Sequence, residues 1–179
     1  MGLGVVTRAL HWSVAVLLGA AFVLAWSFSA LGPSGTSAVL VTAHRSVGLL
    51  ILVLMVVRIL WRMARPFPPH PEATPWWEAV LAKAVQAALY ASLVAMPVLG
   101  WMGSSAEGDD VRFLGLVRLP DLLAYDQDVA DRIFGWHEAL GYAVLALLTL
   151  HVAGAFRHHL IKRDGVLRRM VTGRASSSS

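Results

Sequence analysis

Four histidines, His11, His44, His137 and His151, sit inside or at the edges of long apolar stretches, where an unpaired imidazole is costly. His137 and His151 share one stretch and stand 14 residues apart. A helix rises ~1.5 Å and turns ~100° per residue, so the two lie roughly 21 Å apart within about 40° of one face. A single metal ion cannot be shared over that distance. Two stacked cofactors, each gripped by two histidines from different helices, use this spacing naturally.

The elements that must position these residues are long and apolar. The chain has 179 residues, of which 57% are hydrophobic and 15% charged. Such a composition suits a lipid-embedded protein rather than a soluble globule. There are no cysteines, which excludes disulfides, zinc–thiolate centres, all-cysteine iron–sulfur clusters, thiol catalysis and covalent haem attachment. Four segments, at about 9–30, 39–61, 79–102 and 134–156, are each long enough to cross a hydrocarbon core of ~30 Å. The first is too long for the apolar core of a signal peptide and reads as a retained helix. Trp26, Trp61, Trp76, Trp77, Trp101 and Trp136 flank these runs, as in the aromatic belts of membrane proteins. The expected architecture is an all-α membrane protein: residues 1–172 form one four-helix transmembrane bundle, and 173–179 form a disordered tail. Gly32-Pro33-Ser34-Gly35 separates the first two helices. Pro66, Pro68, Pro69, Pro71 and Pro75 stiffen the next connection. The loop at 103–133 is the only sizeable polar segment, and a short helix is expected around 121–131.

Charge gives these helices a direction. Arg8, Arg58, Arg62, Arg65 and Lys83 fall on one side with Arg157, Lys162, Arg163, Arg168, Arg169 and Arg174. The other side carries Arg45, Arg112, Arg118 and Arg132, outnumbered by Glu107, Asp109, Asp110, Asp121, Asp126, Asp128 and Asp131. The positive-inside rule then places both termini and the proline-rich loop in the cytoplasm. A net charge of +4 gathered beside membrane exits reads as a topology anchor on anionic lipid, not as a nucleic-acid surface. Depth follows from this direction. His44 and His137 form an outer pair, and His11 and His151 an inner pair. The third helix supplies no histidine.

A b-type haem ligated by two histidines suits each pair. Its iron takes one imidazole from each face of a flat apolar ring, and no open position remains for a substrate, which favours electron transfer. Gly48, Gly141 and Gly154 leave room near the ligands for such a ring, or simply let helices approach. Zinc or copper sites need more ligands than the two at each level. A proton relay is the other use of intramembrane histidines.

Several motifs are ordered along the chain. Arg8-x-x-His11-Trp12 opens the first helix, and His44-x-Ser46-x-Gly48 lies in the second. Met96-Pro97-x-x-Gly100 ends the third. Trp136-His137-Glu138, Gly141-Tyr142 and His151 mark the fourth, followed by His158-His159, Asp164 and Leu167-Arg168-Arg169-Met170. Over nearly its whole length the chain resembles the bacterial cytochrome b561 family, the di-haem group that includes superoxide oxidase. The resemblance implies a multi-pass protein of the bacterial cytoplasmic (inner) membrane. It implies two b haems whose iron is held by His11, His44, His137 and His151, and electron exchange with ubiquinone. In superoxide oxidase, superoxide gives electrons from the periplasmic side and quinone becomes quinol. Related b-type subunits instead carry electrons for a partner dehydrogenase.

The leading expectation is therefore a superoxide:quinone oxidoreductase. The alternatives are a haem-bearing subunit serving a redox partner protein, and a non-redox membrane assembly or transport protein. Arg45, with Arg112, Arg118 and Arg132, is a candidate for steering an anion, or else pairs with nearby Asp residues. His158 falls roughly 20° off the face of His151 and is a candidate contact for quinone or a haem propionate. Arg58 and Arg62, one turn apart, are candidates for clamping propionates of the inner haem, or for snorkelling to headgroups. His70 in the proline loop is expected to be solvated.

Overall fold

The computed structural model describes residues 4–65, 75–162 and 166–173. The proline-rich stretch with His70, the Arg163–Asp164 step and the tail from Arg174 lie outside the described residues. Four long helices dominate: α1 (Val5–Leu31), α2 (Gly35–Ala64), α3 (Trp76–Ala106) and α4 (Gln127–Arg157). A π-helical turn, His158–Lys162, extends α4, and a short helix α5 spans Val166–Thr172. Between α3 and α4 lies a small antiparallel hairpin of β1 (Arg112–Phe113) and β2 (Val117–Arg118). All four long helices are long and apolar enough to cross a membrane.

Each helix overruns the apolar segment that announces it, and side-chain caps set the start of two of them. Ser34 Oγ accepts from the Ser37 amide and starts α2. Asp126 Oδ1 accepts from the Val129 amide at 3.0 Å and starts α4 well before its apolar run, satisfying an otherwise orphaned N–H. A separate short helix around 121–131 does not form. Residues 127–131 are the opening of α4, while 121–126 are held irregular: the Leu122 amide donates to Ser105 Oγ and the Asp126 amide to the Ala106 carbonyl. The polar-looking Ser104 and Ser105 are buried and continue α3. They can do so because α3 and α4 meet closely here; a Cβ at Gly103 would stand 2.9 Å from the Phe134 ring.

The core is narrow. Val14, Leu18 and Ala21 of α1 meet Ile51 and Met55 of α2, Leu93 of α3 and Val144 of α4. Large apolar side chains such as Val16, Val23, Val53 and Leu150 point outward and are exposed, the arrangement expected where the surroundings are lipid rather than water. α1 packs along α2, and α3 along α4, with α2 on α3 joining the two pairs. The α4 backbone stands off from α1 and α2, so side chains alone bridge that space.

Both described ends of the chain lie at the same end of the bundle. Arg8 donates to the Val171 carbonyl at 3.0 Å, and Trp12 Nε1 to the Met170 carbonyl at 3.1 Å. These bonds satisfy C-terminal carbonyls of α5. They also bring together the two motifs nearest the two ends of the sequence.

Candidate functional site

The space between α4 and the α1–α2 pair holds all four intramembrane histidines, each half-buried. They form two facing pairs. His11 and His151 have ring centres 6.2 Å apart, with planes inclined at 55°. His44 and His137 are also 6.2 Å apart, inclined at 76°. The first pair lies toward the end where Arg8 and Trp12 hold α5, the second toward the hairpin end. The pairing anticipated from charge and depth is the pairing observed.

That separation has a chemical meaning. Two metal–imidazole bonds of about 2.0 Å, plus roughly 1.1 Å from each nitrogen to its ring centre, sum to about 6.2 Å. Each pair therefore stands at the distance needed to hold one metal between two imidazole nitrogens. Among the described residues no group of three or more His, Cys, Asp or Glu side chains is placed to share an ion. Two histidines per level would leave the remaining positions around an iron to a macrocycle.

The pair at the hairpin end is oriented by the backbone. His44 Nδ1 lies 2.9 Å from the Ala21 carbonyl, and His137 Nδ1 lies 3.0 Å from the Met96 carbonyl. A carbonyl oxygen only accepts, so each ring donates from Nδ1 and keeps the Nε2 lone pair for a metal. The Met96-Pro97-x-x-Gly100 motif now has a physical role. Pro97 interrupts the hydrogen-bond ladder of α3 at this turn. Gly100 lets the His137 ring lie against the helix, since a Cβ there would meet its Cε1 at 3.3 Å. The Phe28 ring packs edge-on against His44 at 5.6 Å.

The inner pair is supported differently. Arg58 Nη2 lies 3.1 Å from His11 Nδ1, and its guanidinium lies over the Tyr90 ring at 5.2 Å. Arg58, Arg62 and Arg65 line a small cleft with Thr7, Leu10, Trp61 and Tyr90. Trp61 Nε1 donates to Thr7 Oγ1 across it at 3.1 Å.

A model of the prokaryotic cytochrome b561 family matches residues 3–173. The chain belongs to this family. It is 32% identical over 176 residues to cytochrome b561 homolog 2 of Escherichia coli (strain K12), covering 97% of this chain and 93% of that one. It is 30% identical over 166 residues to a probable superoxide oxidase, CybB, of Yersinia pestis, covering 90% and 91%. Cytochrome b561 homolog 1 of Escherichia coli (strain K12) is 27% identical over 167 residues, covering 92% and 94%. As a cytochrome b561 family member, the protein is a bacterial membrane protein of electron transfer, a role that implies b-type haem.

Not every residue singled out in this cytochrome b561 sequence stands where its charge would act freely. Arg45 is ion-paired with Asp109 and lies 3.9 Å from Glu107. Arg112 pairs with Asp110, and Arg118 with Asp110 and Asp121. His158 is half-buried at the start of the π-turn, and His159 is exposed. Gly48 and Gly141 face Pro97 and Met96 at ordinary contact distances, while a Cβ at Gly154 would meet nothing within 4 Å. Sequence reasoning overlooked Glu78. Its carboxylate is only 9% exposed and takes both Arg157, at 2.6 Å, and Lys162, tying the start of α3 to the end of α4. An acid among the bases of this end was the signal available.

Proposed function

We propose that the protein carries two b haems and passes electrons across the bilayer, from superoxide at the hairpin end to ubiquinone at the α5 end. His44 and His137 would hold the outer haem, and His11 and His151 the inner. The observation that carries this assignment is the repeated 6.2 Å ring separation at both ends of a space spanned by side chains alone. A b haem held between two imidazoles would supply one-electron transfer. The overall reaction converts two superoxide anions, one quinone and two protons to two O2 and one quinol.

The chain's own groups have definite tasks in this reading. The Ala21 and Met96 carbonyls fix the tautomer of the outer imidazoles. His158, half-buried at the inner end, is assigned to the quinone carbonyl or a haem propionate, where an imidazole can pass a proton. Arg58 and Arg62 present guanidinium donors suited to carboxylates. The basic residues at the α5 end, including Arg8, Arg58, Arg62, Arg65, Arg157 and Lys162, support placing that end, with both termini, in the cytoplasm of an inner-membrane protein.

A second reading is a haem-bearing subunit that takes electrons from a partner dehydrogenase. It is favoured by the outer surface, where Arg45, Arg112 and Arg118 are matched by carboxylates. An anion approaching Arg45 must compete with Asp109 and Glu107, which counts against long-range steering there. The test uses purified protein, a superoxide source and a ubiquinone analogue. Reduction of the haems by superoxide, followed by quinol formation, supports the first reading. Intact haems that superoxide does not reduce reject it. A reduced-minus-oxidised spectrum without a b-type band rejects both.

A further inference from the structure

The two histidine pairs have opposite electrical surroundings. Both outer rings give their Nδ1 protons to backbone carbonyls, Ala21 at 2.9 Å and Met96 at 3.0 Å. Such bonds make an imidazole a more basic ligand, which favours oxidised iron. At the inner level a guanidinium stands on the ligand. Arg58 Nη2 is 3.1 Å from His11 Nδ1, so its charge acts on that ring at close range. The cation cannot drift easily, because the Tyr90 ring lies beneath it at 5.2 Å. Arg62 and Arg65 line the same cleft.

We propose that Arg58, held on His11 by the Tyr90 ring, raises the electron affinity of the inner site above that of the outer, and so gives electron flow its inward direction. The inference rests on the haem assignment made above. A fixed positive charge beside a redox centre opposes electron loss there, since oxidation adds a second positive charge nearby. It acts through His11, so Arg58 is a positioning and tuning residue, not a catalytic one.

The test is a spectroelectrochemical titration of the two haems in the purified protein and in Arg58→Gln, Arg58→Lys and Tyr90→Leu. Glutamine keeps an N–H donor but removes the charge; lysine keeps the charge. In Arg58→Gln the reduced-to-oxidised ratio of the inner haem at a fixed potential should fall about tenfold, a downward shift of ~59 mV for one electron. The outer haem should not move. Lysine should restore most of the shift. Tyr90→Leu should move the inner haem in the same direction by less, and it carries the test if Arg58→Gln fails to hold the inner haem. Unmoved potentials in Arg58→Gln, or in Tyr90→Leu where it is needed, overturn the proposal, as does a lysine variant that behaves like glutamine. Absence of haem from the unmodified protein would overturn the cofactor assignment itself, a separately visible outcome.

Discussion

At the scale of single residues, the four histidines are not equivalent, and their supports say how each should fail. On the proposed assignment of two haems, His44→Ala should leave the other pair intact and lower the haem-to-protein ratio from two to one, read by pyridine haemochrome assay. Gly100→Leu should do nearly the same without touching a ligand, because its side chain would enter the space of the His137 ring, 3.3 Å from where a Cβ begins. A variant that kept both haems would mean the ring has room to retreat. Glu107 offers a pH effect. Burial, then the neighbouring Asp109, pushes its carboxyl above the ordinary value of 4.5. A raised pKa favours the protonated folded form, so its stabilising effect is full below the unfolded value and is lost as pH rises through the folded one. Glu107→Gln should therefore flatten the fall in thermal stability just above pH 4.5, measured in detergent; an unchanged slope would show that the carboxyl does not titrate there.

At the scale of elements, the outer loop is tied to the bundle by single side chains. The Leu114 amide donates to Ser46 Oγ at 2.9 Å, and Trp101 Nε1 donates to the Pro120 carbonyl at 3.1 Å. Leu114 itself adopts φ +53°, a conformation few apolar residues take. The bond from Ser46 helps to hold it. Ser46→Ala leaves that amide without a partner and should cost about 1–3 kcal/mol, seen as faster proteolysis of the hairpin while the haem spectrum stays unchanged. Simultaneous loss of haem would mean that the hairpin also props the outer site. At the other end, Glu78 joins α3 to α4 through Arg157 and Lys162. Replacing it by Gln should lower the unfolding temperature, and a null result in thermal unfolding would assign the cluster to solvent-screened pairs.

At the scale of the whole molecule, the arrangement divides labour between two helix pairs. α1 with α2, and α3 with α4, form the packed layers. The facing histidines lie where α4 meets α1 and α2, so each pair is completed only by docking one layer on the other. Haem loading and bundle stability should accordingly be coupled. Haem-depleted protein is expected to unfold at a lower temperature than the loaded form, because anything bound to the folded state alone stabilises it. Equal unfolding temperatures would show that the bundle forms without the cofactor's help. If the four long helices all cross the bilayer, labelling of single cysteines placed near Arg8 and Arg169 should give the same sidedness for both.

Much of this was legible in the chain itself. Helix number and approximate span follow from apolar run length, because no water is available in hydrocarbon to satisfy an open backbone. The pairing of His44 with His137 and of His11 with His151 follows from depth, which the charge distribution sets. The tertiary structure decided what depends on residues distant in sequence. It showed that the Met96 carbonyl and Gly100 seat His137, that Arg58 rather than a carbonyl supports His11, and that Arg45 is matched by Asp109. It also placed Glu78 on Arg157 and moved the start of α4 back to an aspartate cap. Hydropathy reports the affinity of a segment for lipid. It does not report which carbonyl, ring or carboxylate a neighbouring helix brings within 3 Å.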